Sequence, residues 1–216
     1  MKETIVREQY NEQASIYDRR WSDYLEATLS FLQSWGQISP DETVLDIACG
    51  TGELERLLLQ KNPQQKITGV DISEEMLNTA KQKLSAYDRV SWQTARASEL
   101  PFSDRSFDVV MCASAFHYFD DPIASLVEMK RVLKPDGRVV ILDWCKDYWG
   151  CKILDLALKV VDSAYQYCYT QKEFQDLLIE AGFEIRRDAK FRHGILWEFM
   201  TAEAVLSKEM RNEERG

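Results

Sequence analysis

The sequence predicts an α/β fold on a mainly parallel, doubly wound sheet, and three observations lead there. Short apolar runs alternate with amphipathic stretches through the middle of the chain, a βαβα order that needs crossover helices. The first run, Val44-Leu45-Asp46-Ile47, ends in the tight turn Ala48-Cys49-Gly50-Thr51-Gly52, and leucines at 54, 57, 58 and 59 then open a helix. The second run, 67–71, ends in a carboxylate, Asp71, 19 residues after Gly52.

Taken in order, helices are expected over 3–18 and 22–35. Tyr10, Ala14 and Tyr17, then Tyr24, Leu25, Thr28, Leu29 and Leu32, recur at helical spacing. Strands follow near 43–47, 67–71, 90–93, 107–112 and 138–144, with helices near 52–61, 74–86 and 122–133. Ser73 reads as an N-cap with Met76 in the first turn behind it. Pro122 suits a first helical turn, and Pro135-Asp136-Gly137 predicts a turn after that helix. A helix over 170–181 precedes Gly182-Phe183, two strands near 183–190 and 194–202, and a last helix over 203–213. With no repeat, linker or low-complexity stretch, 216 residues suit one domain with a sizeable core.

Composition narrows the partners. The chain is 45% apolar and 29% charged, the balance of a soluble globular protein. Its net charge of −9 (27 basic against 36 acidic residues) argues against a nucleic-acid partner, which draws on clustered Lys and Arg. The N-terminus, Met1-Lys2-Glu3-Thr4, has no apolar signal region, and no apolar run approaches 18 residues. The expectation is a cytoplasmic protein without a membrane partner. The scattered cysteines at 49, 112, 145, 151 and 168 read as buried free thiols, with Cys49 a small packed residue of its turn. Oligomeric state is not written in the sequence.

The glycine turn carries the first chemical reading. Gly50 and Gly52 lack Cβ atoms, so a ligand can approach the backbone, and the following helix points free N–H groups into the crevice. Asp71 at the tip of the neighbouring strand can accept from ribose hydroxyls, which predicts an adenosine-bearing ligand. The dinucleotide pattern G-x-G-x-x-G is absent, because Glu55 stands where its third glycine would be and sets a carboxylate against a pyrophosphate. No Gly-Lys-Ser/Thr follows to make a P-loop.

At this point the chain resembles a known family. Val44 to Leu54 and Gly69 to Ser73 are similar to motifs I and II of the class I S-adenosylmethionine-dependent methyltransferases. Leu100-Pro101-Phe102-Ser103-Asp104-Arg105-Ser106-Phe107-Asp108-Val109-Val110 and Leu133-Lys134-Pro135-Asp136-Gly137-Arg138-Val139-Val140 resemble two further motifs, in family order. The likeness is greatest to the small-molecule branch with the ubiquinone and menaquinone biosynthesis methyltransferases. It implies a Rossmann-like, seven-stranded, mainly parallel sheet with a C-terminal antiparallel strand and helices on both faces. It also implies S-adenosylmethionine as cosubstrate, S-adenosylhomocysteine as product, and a small-molecule acceptor. Residues 1–35 would form a helical lid over a Rossmann-like core at 36–216.

The resemblance assigns the cosubstrate site residue by residue. Asp46 would support the loop and reach the ligand's ammonium end, with Ala48, Cys49, Gly50 and Gly52 as the cradle. Ala48 replaces the usual first glycine and is tolerable if φ stays negative. Asp71 would take the ribose, Ile72 and Met76 the adenine faces, and Ala97 a backbone bond to the base. The family's acidic residue beside the adenine is replaced by Arg96, which has no acceptor atom. Cys112 and Ala113, at the end of the fourth strand, would border the methionine arm.

His117 lies just beyond that strand, where it could act as a general base or shape the pocket. Aromatic residues at 10, 17, 21, 116, 118, 144, 148 and 149 are candidates for an acceptor wall, which favours a hydrophobic or aromatic acceptor. Competing readings are a non-catalytic ligand-binding module, against which Asp46, Gly50, Gly52 and Asp71 argue, and an arsenite-type methyltransferase prompted by Cys145, Cys151 and Cys168. An NAD-dependent oxidoreductase is disfavoured by Glu55 and by the absence of a Tyr-x-x-x-Lys pair.

Overall fold

The structure, a computed structural model, describes residues 2–161, 165, 167–194 and 197–207. Three helices, α1 (Lys2–Gln13), α2 (Tyr17–Arg20) and α3 (Ser22–Gly36), precede the sheet. Then come β1 (Thr43–Ile47), α4 (Glu53–Lys61), β2 (Lys66–Asp71), α5 (Glu74–Lys83), β3 (Val90–Thr94) and β4 (Phe107–Ala113). A 3-10 turn at Phe116–Tyr118 leads to α6 (Pro122–Val132), β5 (Leu133–Trp144), α7 (Trp149–Val161) and α8 (Gln171–Glu180). The chain closes with β6 (Phe183–His193) and β7 (Trp197–Leu206).

The seven strands lie in the order β3-β2-β1-β4-β5-β7-β6, with β7 antiparallel to both neighbours and the pairs from β3 to β5 parallel. Chain order reverses between β1 and β4, so their carboxyl ends, at Ile47 and Cys112, flank the crevice where ligands of such sheets bind.

Alternation along the strands fills both faces. Leu45, Ile47, Val110 and Ile141 pack with Leu126 and Met129 of α6 and with Phe174 and Leu178 of α8. Val44, Val109, Met111 and Val140 point the other way, against Leu29 and Leu32 of α3 and Leu54 and Leu58 of α4. Burial on both faces explains why the central strands read as nearly continuous apolar runs. Caps set the helix starts: Ser73 Oγ accepts the Met76 N–H at 3.1 Å, and Asp121 Oδ1 accepts that of Ala124 at 2.9 Å. Thr170 and Glu173 form a reciprocal capping box on α8. No described helix is long and apolar enough to cross a membrane.

Three expectations are corrected. The helix predicted over 3–18 is broken after Gln13, which lets Asp18 on α2 meet Thr51 and Lys83 while Tyr10 and Tyr17 turn to one cavity. The turn predicted at 135–137 is a bulge within β5: Phe107 pairs with Leu133 and Val109 with Arg138, so four residues face one. A Cβ on Gly137 would lie 2.8 Å from the Asp108 carbonyl, which explains the glycine. The helix predicted over 203–213 is strand as far as Leu206, because Ala204 and Val205 pair with Val139 and Arg138 of β5, and long-range pairing outweighs local propensity. Residues 208–216 lie outside the described residues. Helix α7 had no counterpart in the sequence reading.

Candidate functional site

The turn after β1 is built from left-handed backbone: φ is +58° at Ala48, +55° at Gly50 and +78° at Gly52. Ala48 therefore departs from the expected negative φ and carries a left-handed penalty of about 1–2 kcal/mol. The two glycines differ in purpose. A Cβ on Gly50 would meet nothing within 4 Å, so its backbone faces open space. A Cβ on Gly52 would sit 3.0 Å from Trp92 and 3.1 Å from Ala80, so its glycine serves helix packing rather than ligand approach. Gly50 donates its N–H to Asp71 Oδ2 at 2.9 Å, and Ser73 donates to Asp71 Oδ1 at 2.8 Å. Each carboxylate oxygen keeps a further acceptor site, as a ribose diol requires. Burial raises the Asp71 carboxyl, while the N–H bonds from Ser73 and Gly50 oppose that rise.

Above this turn lies a cleft enclosing about 730 Å³ of space, counting the part open to solvent. Its walls bring together Ala48, Gly50, Asp71, Ile72, Met76, Ala97 and Ala113 of the sequence-derived set. Ser114, Ala115, Tyr118 and Phe119 extend the wall beyond β4, and Glu3, Val6, Tyr10 and Tyr17 close it from the N-terminal helices. Tyr10 meets Tyr118 edge-on at 5.8 Å between ring centroids and lies tilted against Tyr17 at 5.9 Å. A second, smaller cavity shares Tyr17, Ala48, Gly50, Ala113 and Ser114 with the first and adds Asp46, Cys49, Thr51 and Glu53.

Asp46 is buried, and its Oδ1 has no hydrogen-bond partner among the described residues. Burial raises its carboxyl well above the usual range, with Glu55 and Asp71 adding repulsion. A bound ammonium group would relieve that cost, and the arrangement fits the methionine end of the cosubstrate. Glu55 is fully buried, and burial pushes its carboxyl up to about 8. Its Oε1 lies near Gly69, 2.8 Å from where a Cβ on that glycine would sit, and Glu55 borders neither cavity. Contrary to expectation, Glu55 therefore sets no carboxylate against a bound pyrophosphate: its side chain points into the protein.

Three other residues of the set stand apart. Gly52 and Cys112 border neither cavity; Cys112 is a core residue paired with Ile47 and Ile141. His117 is buried and also borders neither cavity. Its Nδ1 lies 2.6 Å from Asp143 Oδ1, its backbone N–H donates to Asp143 Oδ2 at 2.8 Å, and its ring stacks on Trp144 at 4.3 Å. Nδ1 faces a carboxylate oxygen, and Nε2 has no hydrogen-bond partner among the described residues.

The aromatic wall is narrower than the sequence suggested. Tyr10, Tyr17 and Tyr118 line the cleft, whereas Phe116 is core and Trp149 is 78% exposed. Trp144 donates Nε1–H to the Tyr24 hydroxyl at 2.9 Å, and Tyr24 donates to Ser114 Oγ at 2.7 Å, tying α3 to the ends of β4 and β5. Trp21 packs on Tyr24 and Trp197, and Tyr148 lies beneath Arg192 and Lys190. All five cysteines are buried and free. Arg96 pairs with Glu3 of α1. No sequence signal pointed to Glu3, a lone acid in the first turn of a surface helix.

Known proteins resemble this chain in sequence and in fold. A family model described as a methyltransferase domain matches residues 45–141. A ubiquinone/menaquinone biosynthesis C-methyltransferase of Desulfotalea psychrophila is 40% identical over 173 residues, 71% of this chain and 70% of that protein. One from Geotalea daltonii is 38% identical over 135 residues, 56% of this chain and 57% of that protein, so this chain spans little more than half of that relative's length. Among solved structures, the magnesium protoporphyrin IX methyltransferase of Synechocystis, with bound SAH, superposes with a TM-score of 0.74 at 21% identity. That superposition covers 95% of this chain and 100% of the other, and it speaks to the fold alone. The chain belongs to the class I S-adenosylmethionine-dependent methyltransferases, in the small-molecule branch resembling the ubiquinone and menaquinone biosynthesis enzymes.

Proposed function

We propose that this protein transfers a methyl group from S-adenosylmethionine to a carbon of a small aromatic acceptor of the quinol class. The observation that carries this reading is one cleft that joins the Gly50–Asp71 cradle to a wall of Tyr10, Tyr17 and Tyr118. The quinone-pathway relatives support the acceptor class.

When bound, the cosubstrate supplies an electrophilic methyl on a sulfonium and becomes a neutral thioether. The acceptor carbon gains the methyl, and the acceptor releases one proton to solvent at the open side of the cleft. The protein's part is positioning. Gly50 and Asp71 hold the ribose side, Asp46 takes the ammonium end, and Ile72 and Met76 make apolar contact with the base. Burial keeps Tyr10 and Tyr17 protonated, so the acceptor wall is uncharged and excludes water. His117 acts as a positioning residue: clamped by Asp143 and stacked on Trp144, it sets the path of the chain into Tyr118.

The test is incubation of the purified protein with S-adenosylmethionine and a panel of demethylated naphthoquinols, benzoquinols and unrelated phenols, with products read by mass spectrometry. A gain of one methyl on a quinol carbon is expected. Methylation confined to phenol oxygens or amines would overturn the acceptor class, and no turnover on any substrate despite tight cosubstrate binding would favour a binding module.

A further inference from the structure

We propose that Glu3, carried on the N-terminal helix α1, is the group that reads the amino edge of the adenine, with Arg96 as its counter-ion. This rests on the cosubstrate reading above and adds a specificity-determining residue from outside the sheet.

Among the described residues lining the main cleft, the carboxylates are Glu3 and Asp71. Asp71 is committed to the cradle, one oxygen on Gly50 and the other on Ser73. Glu3 lies farther out, where the ends of β2 and β3 meet: it also borders a shallow neighbouring recess with Ile72, Ala95 and Arg96. Ile72 and Ala97 form apolar surface on the cleft side of that position. An adenine amino group is a double donor and needs an acceptor. Arg96 has none, and its guanidinium instead pairs with Glu3, which only accepts when ionised. The Glu3 side chain is 14% exposed against 53% for Arg96, so the carboxylate faces inward and the guanidinium closes it from outside.

Helix α1 is seated for this role at several points. The Glu3 N–H donates to Asp120 Oδ2 at 3.3 Å, Ser73 Oγ donates to Asn11 Oδ1 at 2.7 Å, and Tyr10 meets Tyr118. A base acceptor on this helix makes adenine recognition and helix seating one linked event.

The experiment is calorimetric titration of the whole protein with S-adenosylhomocysteine and with S-inosylhomocysteine, whose carbonyl oxygen replaces the amino group. Wild type should prefer the adenosyl ligand by about ten- to a hundredfold, the worth of a charge-assisted hydrogen bond. Glu3→Ala should weaken the adenosyl ligand by a similar factor and leave the inosyl ligand unchanged or tighter, so the preference collapses. Glu3→Gln, whose amide can accept or donate, should bind both ligands with little preference and so guards against a simple folding defect. An unchanged preference in Glu3→Ala, or a parallel loss for both ligands, would overturn the assignment and leave Glu3 as a helix anchor. Wild-type protein that binds neither ligand would instead overturn the cosubstrate reading beneath it.

Discussion

Asp71 does two jobs with one carboxylate, holding the Gly50 turn and presenting spare acceptor sites to the cleft. Asp71→Ala should therefore weaken S-adenosylhomocysteine binding by about ten- to a hundredfold, measured by calorimetry, with the fold retained. Unchanged affinity would remove Asp71 from the ribose. At Gly50 an added methyl finds space but a φ of +55°. Gly50→Ala should fold, lose about 1–2 kcal/mol of stability and bind the ligand more weakly. Ala48 already bears a φ of +58°, so Ala48→Gly should raise the thermal midpoint, the relief of strain exceeding glycine's chain-entropy cost of about 0.4–1 kcal/mol. For His117, a positioning role predicts that His117→Asn, which can still donate to Asp143, retains most activity and leaves the pH–rate profile unchanged. A loss of about 10²–10⁴ in kcat, with an ionisation gone from the profile, would make it the base.

At the scale of elements, the first three helices divide. Helices α1 and α2 dock through polar contacts, Asn11 to Ser73 and Asp18 to Thr51 and Lys83, together with the buried Val6, and they carry Glu3, Tyr10 and Tyr17 to the cleft. Helix α3 buries Leu29 and Leu32 against the sheet and is part of the core. The lid we propose is thus residues 2–20, shorter than the first 35 residues that the sequence reading assigned to it. Removing residues 1–20 should shift the thermal midpoint little and reduce ligand affinity and turnover strongly. Leu32→Ala alone should cost about 2–5 kcal/mol, read from denaturant unfolding. If the short deletion unfolds the protein as fully as removal of all 35 residues, the division is wrong.

At the scale of the whole molecule, the buried acids beneath the cleft shape stability against pH. Glu55 keeps its proton in the fold up to about 8, whereas an unfolded chain releases it near the ordinary value of 4.5. Between these values the native state binds more protons than the unfolded state, so stability falls as pH rises. Asp46 and Asp71, also raised by burial, act in the same direction. The thermal midpoint should drop between about pH 5 and pH 8. Glu55→Gln should flatten that slope, and a slope unaffected by the substitution would place the cost elsewhere.

Local pattern alone determined the order of strands and helices through the middle of the chain, the tight glycine turn at Gly50 and the carboxylate at the tip of β2, Asp71. Those features follow from short-range rules: apolar period, turn chemistry and spacing within one βαβ unit. Wherever a partner distant in sequence decides, local pattern was silent or wrong. The end of β7 is strand because β5 lies beside it, Gly52 is glycine because Trp92 crosses it, and Glu55 is buried rather than facing a ligand. His117 is likewise withdrawn from the cavity by Asp143, 26 residues away. Glu3 shows the limit most plainly. Nothing around it in sequence marks a site, and only the folding of α1 over the ends of β2 and β3 sets its carboxylate against Arg96 at the wall of the cleft.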